Sequence, residues 1–314
     1  MKAIVCTGYG PPEVLHPAEV EKPIPKKNEV CIRIIATSVT ASDCIVRGFK
    51  IPRWHFRGIM MGLVLGFRKP RKSILGMVLG GEVESQGSEV KSFKLGDHVF
   101  GWTLMSSVKI LFGTYAQYIC LTEDSVIAKM PSNLSFGEAA AIPYGGLLAL
   151  YFIKKGKIEN GQNVLIYGAS GSIGTTALQI VKHLGARVTG VCSTGNLKLV
   201  KSLGADHVLD YTKDDIGKNG ETYDFMLDAV GKWKSSEFKV QCRNALAPEG
   251  KYISVDDGSP KASVEDMIFL KELAESGKLK PVIDREYLLE EMAEAHRYVD
   301  QGHKKGNVII TVNH

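Results

Sequence analysis

The chain has 314 residues, 44% of them hydrophobic and 23% charged, with 33 glycines and a formal net charge of +5. That length exceeds the size at which a single hydrophobic core stops growing, so two domains are expected. The composition excludes a disordered or fibrous chain, and the modest charge gives no reason to expect a nucleic-acid partner.

The chain opens on "MKAIVCTGYG", which alternates like a strand and lacks the pattern of a secretory signal, so a cytoplasmic location is expected. Up to about residue 125 the runs "KAIVC", "EVCIRIIATSV", "GGEVESQG", "DHVFGWT" and "AQYICLTE" read as short strands punctuated by Gly, Pro and Asn. They predict a compact β-rich, barrel-like domain. Within it, the stretch between Asp43 and Glu82 carries Arg47, Lys50, Arg53, Arg57, Arg68, Lys69, Arg71 and Lys72 and no acidic residue. Such a run reads as a solvated basic face or loop, or as a surface for an anionic phosphate or a membrane. The apolar "GIMMGLVLGF" at 58–67 is far shorter than the roughly 20 residues needed to span a bilayer, so no membrane span is expected and it reads as a lid or an interfacial segment. Cys6, Cys31, Cys44, Cys120, Cys192 and Cys242 are scattered, with no CxxC pair, and read as reduced packing thiols.

From about residue 135 the pattern becomes helix and strand in turn. "SFGEAAAIPYGGLLALYFIKK" is helical in composition with a Pro-Tyr-Gly-Gly interruption, and Ser135 with Glu138 makes a capping box. Five apolar, β-rich segments follow at 163–168, 186–192, 207–211, 223–230 and 251–255. Helical stretches separate most of them, which predicts a parallel sheet with right-handed crossovers, a doubly wound nucleotide-binding architecture. After "KYISV" comes the polar "DDGSP", then two further helical stretches and a last strand, "NVIITV".

"VLIYGASGSIGTTALQIVKHLGA" carries the strongest motif. Gly168 lies at a strand end, and Gly171 and Gly174 bracket the turn into a helix with Ile173, Ala177, Ile180, Val181 and Leu184 on one apolar face. A Cβ at Gly171 or Gly174 would block a pyrophosphate approaching the helix N-terminus. Ala169, small enough for the turn, takes the place of one of the motif's glycines. At the end of the second strand an NAD site normally places an acid for the ribose 2′-OH. Here the sequence is "VCSTGNLK", with no acid. Ser193, Thr194, Lys198 and Tyr211 are the expected neighbours of a 2′-phosphate, and the expected cofactor is NADPH.

With "IPYGGLLAL", "VLIYGASGSIG", "KSLGADHVLDYT", "DFMLDAVG" and "GKLKPVIDR" in order, the chain resembles the medium-chain dehydrogenase/reductase superfamily. It is most similar to the zinc-independent, zeta-crystallin-like NADPH:quinone oxidoreductase branch. The resemblance implies an α/β protein: a GroES-like β-rich barrel domain over 1–124, a Rossmann doubly wound domain over 125–276 and a return to the first domain over 277–314. It also implies cofactor contacts from Gly168, Ala169, Ser170, Gly171, Ser172, Ile173 and Gly174, from Ala229, Val230, Ser254 and Val255 after the fourth and fifth strands, and from Asn307. The usual sixth Rossmann strand is missing after "KYISV", which predicts an open sheet edge and a monomer or an altered dimer.

Zinc enzymes of the superfamily bind metal through Gly-His-Glu where this chain has "GMVLGG". Met77 and Val78 cannot supply those ligands, so no metal is expected. Without a Lewis acid, hydride delivery to an electron-poor acceptor is easier than alcohol oxidation. The expected substrate is therefore a quinone or an α,β-unsaturated carbonyl. An enoyl-thioester reductase and a non-catalytic NADPH- or RNA-binding protein are the alternatives. "SVTASDCIVRG" resembles the branch's Asn-x-x-Asp-x-x-x-Arg pattern, with Thr40 in the Asn place, Asp43 and Arg47. Thr40 and Asp43 are candidate catalytic residues, the alternative being that Asp43 and Arg47 pair to hold the loop. Tyr144 is a third candidate donor or a core tyrosine. Where relatives often carry Thr and Arg, this chain has Leu148 and Gly195.

Overall fold

The computed structural model describes residues 1–50, 56–103, 111–216, 220–232, 234–258 and 261–314. In chain order the strands of the first half are β1 (Lys2–Cys6), β2 (Leu15–Glu19), β3 (Glu29–Val39), β4 (Val78–Gln86), β5 (His98–Trp102), β6 (Tyr118–Thr122) and β7 (Ile127–Lys129). The helices among them and just after are α1 (Ala41–Gly48), α2 (Phe56–Leu65), α3 (Phe136–Ala141) and α4 (Pro143–Gly156). Then β8 (Asn163–Tyr167), α5 (Ser172–His183), β9 (Arg187–Cys192), α6 (Leu197–Ser202), β10 (His207–Asp210), β11 (Tyr223–Asp228), α7 (Glu237–Asn244) and β12 (Leu246–Ser254) follow. The chain closes with α8 (Val264–Glu275), β13 (Ile283–Leu288), α9 (Met292–Asp300) and β14 (Asn307–Thr311).

Two compact units result, one of residues 1–143, 262–268 and 283–314 and one of residues 144–261 and 269–282. In the first, β3 is the spine. It pairs antiparallel with β4, β6 and β14, inside a sheet ordered β13-β14-β3-β4-β5-β7. Its β-branched run buries Val30, Ile32 and Ile34 in one core with Leu79, Val99, Leu121 and Val308, each such side chain contributing roughly 1.5–3 kcal/mol. Two register shifts between β3 and β4, at Cys31/Ile32 and Ile34/Ala36, bend the sheet.

The first unit runs to Pro143 rather than to 124 because α3, started by the expected Ser135–Glu138 capping box, belongs to it. Ala140 and Ala141 pack on Ala36 and Ile309. The return begins at Ile283 rather than 277, because Gln179 on α5 holds the preceding segment. Its Nε2 donates to the Lys280 carbonyl at 3.1 Å and its Oε1 accepts from the Lys280 N–H at 2.8 Å. Of the basic stretch, Arg53 lies outside the described residues.

The second unit is built on a parallel sheet ordered β10-β9-β8-β11-β12, and all five expected strands are present. α5 is more deeply buried than one apolar face requires. Ala177, Ile180 and Val181 are buried as expected, but so are Thr175, Thr176, Leu178 and Gln179, while Ile173 is half-buried and Leu184 exposed. Among the described residues no sixth strand continues the sheet beyond β12. That edge contains Pro248 and charged Glu249 and Lys251, features that discourage edge-to-edge pairing. Light scattering on the purified protein is therefore expected to give the monomer mass of 34.3 kDa. A tight dimer broken by substitutions on β12 is the contrary result.

Candidate functional site

Parallel pairing brings the carboxyl ends of the five strands to one edge of the second unit. Tyr167 stands opposite Val191 and Asp228, Cys192 opposite Asp210, and Asp228 opposite Ser254. The residues that follow, Gly168, Ser193, Tyr211, Ala229 and Val255, therefore share the edge at which open α/β sheets bind ligands.

At its centre Gly168 takes a left-handed φ of +84°, which sends the chain from β8 into the turn before α5. A Cβ on Gly174 would lie 2.2 Å from the Gly168 carbonyl oxygen and 2.7 Å from the Ala169 Cα, so only glycine lets α5 approach the strand this closely. Gly171 is different. A Cβ there would meet no other protein atom closer than 3.6 Å, so nothing inside the fold demands glycine at that point. Gly171 is the N-cap of α5 and provides no side-chain cap, which leaves the first-turn N–H groups, beginning at Ser172 and Ile173, directed at the space beyond the helix. This cradle fits a dinucleotide pyrophosphate. The start of α4 lies beside it, because Gly145 approaches so closely that a Cβ would meet the Ser172 carbonyl oxygen at 2.5 Å. That approach carries Tyr144 to the loop.

The turn after β9 is organised by Asn196, a residue outside the expected set. Its Nδ2 donates to Ser170 Oγ at 3.1 Å and to Ser193 Oγ at 3.2 Å, which ties the phosphate loop to the second strand end. Its buried Oδ1 has no hydrogen-bond partner. Thr194, expected to donate to a phosphate, instead hydrogen-bonds the Asp210 carboxylate. Thr212 donates to the same group through Oγ1 at 2.7 Å and N–H at 3.0 Å. Burial pushes Asp210 up, yet these hydrogen bonds outweigh it and hold the carboxyl below its usual range. Thus the second strand ends without an acid, but one stands a strand away and is already satisfied. Lys198 and Tyr211 are exposed beside this turn, and the Tyr211 N–H donates to the Cys192 carbonyl at 3.2 Å. Nothing lies within 4 Å of a Cβ built on Gly195.

Beyond β11 the backbone is held by Asp228, which is wholly buried. It accepts from the N–H groups of Val230 and Gly231 at 3.1 Å each, from Tyr252 Oη at 2.8 Å and from Ser254 Oγ at 3.4 Å, and it pairs with Lys239 Nζ at 3.1 Å. Ser254 thus turns its side chain inward. Ala229 and Val255 are fixed through backbone bonds to Tyr167 and Asp228.

The remaining expected residues lie in the first unit. Thr40 caps α1 in a reciprocal box: its N–H and Oγ1 donate to Asp43 Oδ2 at 2.9 and 2.6 Å, and the Asp43 N–H donates to Thr40 Oγ1 at 3.2 Å. Asp43 is wholly buried and is drawn into its helix cap. Arg47 does not pair with Asp43. Its Nη2 meets Asp300 at 2.6 Å, its Nε donates to the Gly10 carbonyl at 3.2 Å and its Nη1 lies 3.3 Å from His296 Nδ1. His296 Nε2 is 3.1 Å from the Tyr115 hydroxyl, and its Nδ1 is 3.4 Å from Cys44 Sγ. Burial pushes Asp43 up to about 6, and burial followed by the nearby Arg47 charge pushes His296 down to about 3. Asn307, buried at the start of β14, also belongs to this unit. Met77 and Val78 are buried apolar residues.

The family described as "Zinc-binding dehydrogenase" matches residues 172–279 and, in a second form, 261–310, and the "Alcohol dehydrogenase GroES-like domain" matches 26–132. A 2-methylene-furan-3-one reductase from Solanum lycopersicum is 31% identical over 99% of this chain and 79% of its own. The chain belongs to the medium-chain dehydrogenase/reductase superfamily. A chloroplast envelope quinone oxidoreductase homolog from Arabidopsis thaliana is also 31% identical, over 99% of this chain and 98% of its own. The crystal structure of an NAD-dependent alcohol dehydrogenase, 28% identical, superposes over 100% of both chains with a TM-score of 0.85.

Of the three expected catalytic residues, one belongs to the second unit and two to the first. Tyr144 accompanies the dinucleotide loop, whereas Thr40 and Asp43 bind each other as a helix cap, a role the Thr-x-x-Asp spacing also encodes. Asn196 was detectable in "CSTGN" as a turn residue, but its bridge to Ser170 spans 26 positions and has no local signature.

Two outcomes test the site. Gly171→Ala is expected to lower stability by no more than about 0.5–1 kcal/mol, the preference of an N-cap for glycine over alanine, while weakening NAD(P)H binding at least tenfold, whereas Gly174→Ala weakens binding and lowers stability by about 1–3 kcal/mol, as read by cofactor titration and denaturant melts. The second concerns pH. With its folded pKa raised, Asp43 contributes stability that is present at low pH and lost as pH rises through about 6. With its folded pKa depressed, His296 contributes stability that is present above the unfolded value of 6.5 and lost as pH falls toward 3. The two oppose each other between about pH 4 and 6. Asp43→Asn removes one side, so its stability is expected to fall by ~3 kcal/mol from about pH 6.5 to about 4 while the wild type changes far less. Parallel curves would refute the opposition.

Proposed function

We propose that this protein is an NADPH-dependent reductase, independent of metal, that transfers a hydride to a quinone or an α,β-unsaturated carbonyl. The observation that carries the reading is the Gly168–Gly174 cradle, whose Gly171 has room for a ligand and no packing reason to be glycine. With the pyrophosphate held there, the cofactor's nicotinamide would supply the hydride. The chain's own part begins with the open N-terminus of α5, which holds the pyrophosphate by its N–H groups and dipole. Ser193 and Lys198 face the adenosine end without a carboxylate on β9 to select the ribose 2′-OH. Thr194 and Thr212 direct three donors at Asp210, which leaves that acid little capacity to serve as the ribose acceptor in place of the missing one.

The choice of acceptor rests on Met77 and Val78, apolar where zinc enzymes of the superfamily place ligands. A substrate must then already be electron-poor. Tyr144, the one expected donor in the same unit as the loop, is assigned the hydrogen bond to the developing oxyanion. The names of the two plant relatives, a 2-methylene-furan-3-one reductase and a quinone oxidoreductase homolog, support this reading.

Purified protein is expected to oxidise NADPH in the presence of a naphthoquinone or an alkenal, with NADH a poorer donor. Lys198→Ala should raise KM for NADPH about tenfold, the loss of one charge-assisted contact, and leave KM for NADH unchanged. Tyr144→Phe should lower kcat more than it changes KM. Cofactor binding without turnover on any quinone, enone or enoyl thioester would sink the reading in favour of a binding protein, and equal use of NADH would overturn the cofactor assignment.

A further inference from the structure

The segment from α2 to Lys72 is apolar on two opposite sides and cationic at its end. Leu65 is buried in the core of the first unit, with Met61 and Val64 packed against that core. On the other side Ile59, Met60 and Leu63 are 43%, 45% and 50% exposed, and Phe67 just beyond is 44% exposed. Four of the thirteen exposed large hydrophobic residues among those described thus fall within nine positions, a concentration that marks an interaction surface. The turn that follows is fixed. Gly66 takes φ +105°, its carbonyl accepts from Tyr9 Oη at 2.8 Å, and the Arg71 N–H returns to the Leu65 carbonyl at 2.7 Å. Arg68, Lys69, Arg71 and Lys72 are therefore held beside the exposed apolar face. All four are exposed, none joins an ion pair among the described residues, and no acidic residue occurs between Asp43 and Glu82.

We propose that this face docks the protein on an anionic phospholipid surface. A ten-residue helix is about 15 Å long, too short to cross a bilayer, and fits one lying in the interface with Ile59, Met60 and Leu63 in the acyl boundary. The four cations then meet lipid phosphates. A nucleic acid would use the cations but leave the apolar side chains in water, which is why a bilayer is favoured.

Flotation with phosphatidylcholine vesicles containing about 30 mol % phosphatidylserine tests this. Binding is expected to that mixture and not to phosphatidylcholine alone, falling about fivefold per cation removed, hence about twenty-five-fold in Arg68→Gln/Lys69→Gln. Leu63→Gln, with every charge retained, should by itself weaken binding at least tenfold. All three side chains are exposed, so an unchanged melting temperature and NADPH affinity report intact folding. Equal partition to neutral and anionic vesicles would overturn the proposal. So would RNA binding that matches vesicle binding and survives Leu63→Gln.

A separate observation concerns the thiols. Cys31 and Cys120 stand directly opposite on antiparallel β3 and β6. In the same ladder Ile34 N–H donates to the Gln117 carbonyl at 2.8 Å, so pairs alternating from Ile34–Gln117 are hydrogen-bonded and Cys31–Cys120 is a non-hydrogen-bonded pair. Such pairs bring Cα atoms to about 4.5 Å, inside the range a disulfide bridges. We infer that a hydroperoxide converts this pair to a disulfide. One sulfur of the pair, as thiolate, attacks a peroxide oxygen, the O–O bond breaks and a sulfenic acid forms as hydroxide or alkoxide departs and takes up a proton. The other sulfur then attacks the sulfenic sulfur, forming the S–S bond and releasing water. Two thiols lose two electrons and two protons, and the peroxide is reduced.

After treatment with hydrogen peroxide, a non-reducing peptide map is expected to show one linked pair, Cys31–Cys120, with four of the six thiols still free, and the link should vanish in Cys31→Ser. Sulfinic acid at either cysteine of the pair with no linked peptide would overturn the inference.

Discussion

The contact of α5 with β8, where any side chain on Gly174 would drive a carbon to 2.2 Å from the Gly168 carbonyl oxygen, governs what the rest of the second unit can do. It fixes the separation of helix from strand, and with it the point at which the helix dipole ends. Gly190 continues the same constraint one strand over, where a Cβ would lie 3.2 Å from the Ala169 side chain. The alanine that replaces one of the motif's glycines is thus accommodated because its neighbour on β9 has no side chain. The Asp228–Lys239 pair then holds the next strand end to the same edge, and because both are buried, removing Lys239 alone would strand a carboxylate at a cost of about 3–5 kcal/mol.

Local features were legible because their causes are local. The five Rossmann strands are apolar runs bounded by turn residues, and the Ser135–Glu138 box needs only a short, fixed spacing. The Gly168–Gly174 turn is recognisable because a backbone that must touch both a strand and a phosphate admits few residue types. The open sheet edge was legible as well, since the polar "DDGSP" follows "KYISV" where a further helix and strand would have to begin.

What the sequence concealed was pairing at a distance. Arg47 follows Asp43 by one helical turn, a spacing at which opposite charges on a helix commonly meet. Its actual partners, Asp300 and His296, lie about 250 positions away, and nothing near Arg47 distinguishes that partnership from one with Asp43. Likewise Thr194 reads as a phosphate donor until Asp210, 16 positions on, is brought alongside by β9–β10 pairing. The boundary of the first unit was hidden for the same reason: α3 is helical like its successor, and only packing on Ala36 and Ile309 decides which side it joins.

The satisfied carboxylate of Asp210 has an evolutionary corollary. In a protein of this kind, coenzyme preference is usually changed by gaining or losing an acid, a substitution that alters charge in a crowded site. Here the acid is already installed and two threonine hydroxyls keep it occupied. A mutation that removes either hydroxyl frees acceptor capacity on a carboxylate that is already there, without adding charge to the strand-end edge.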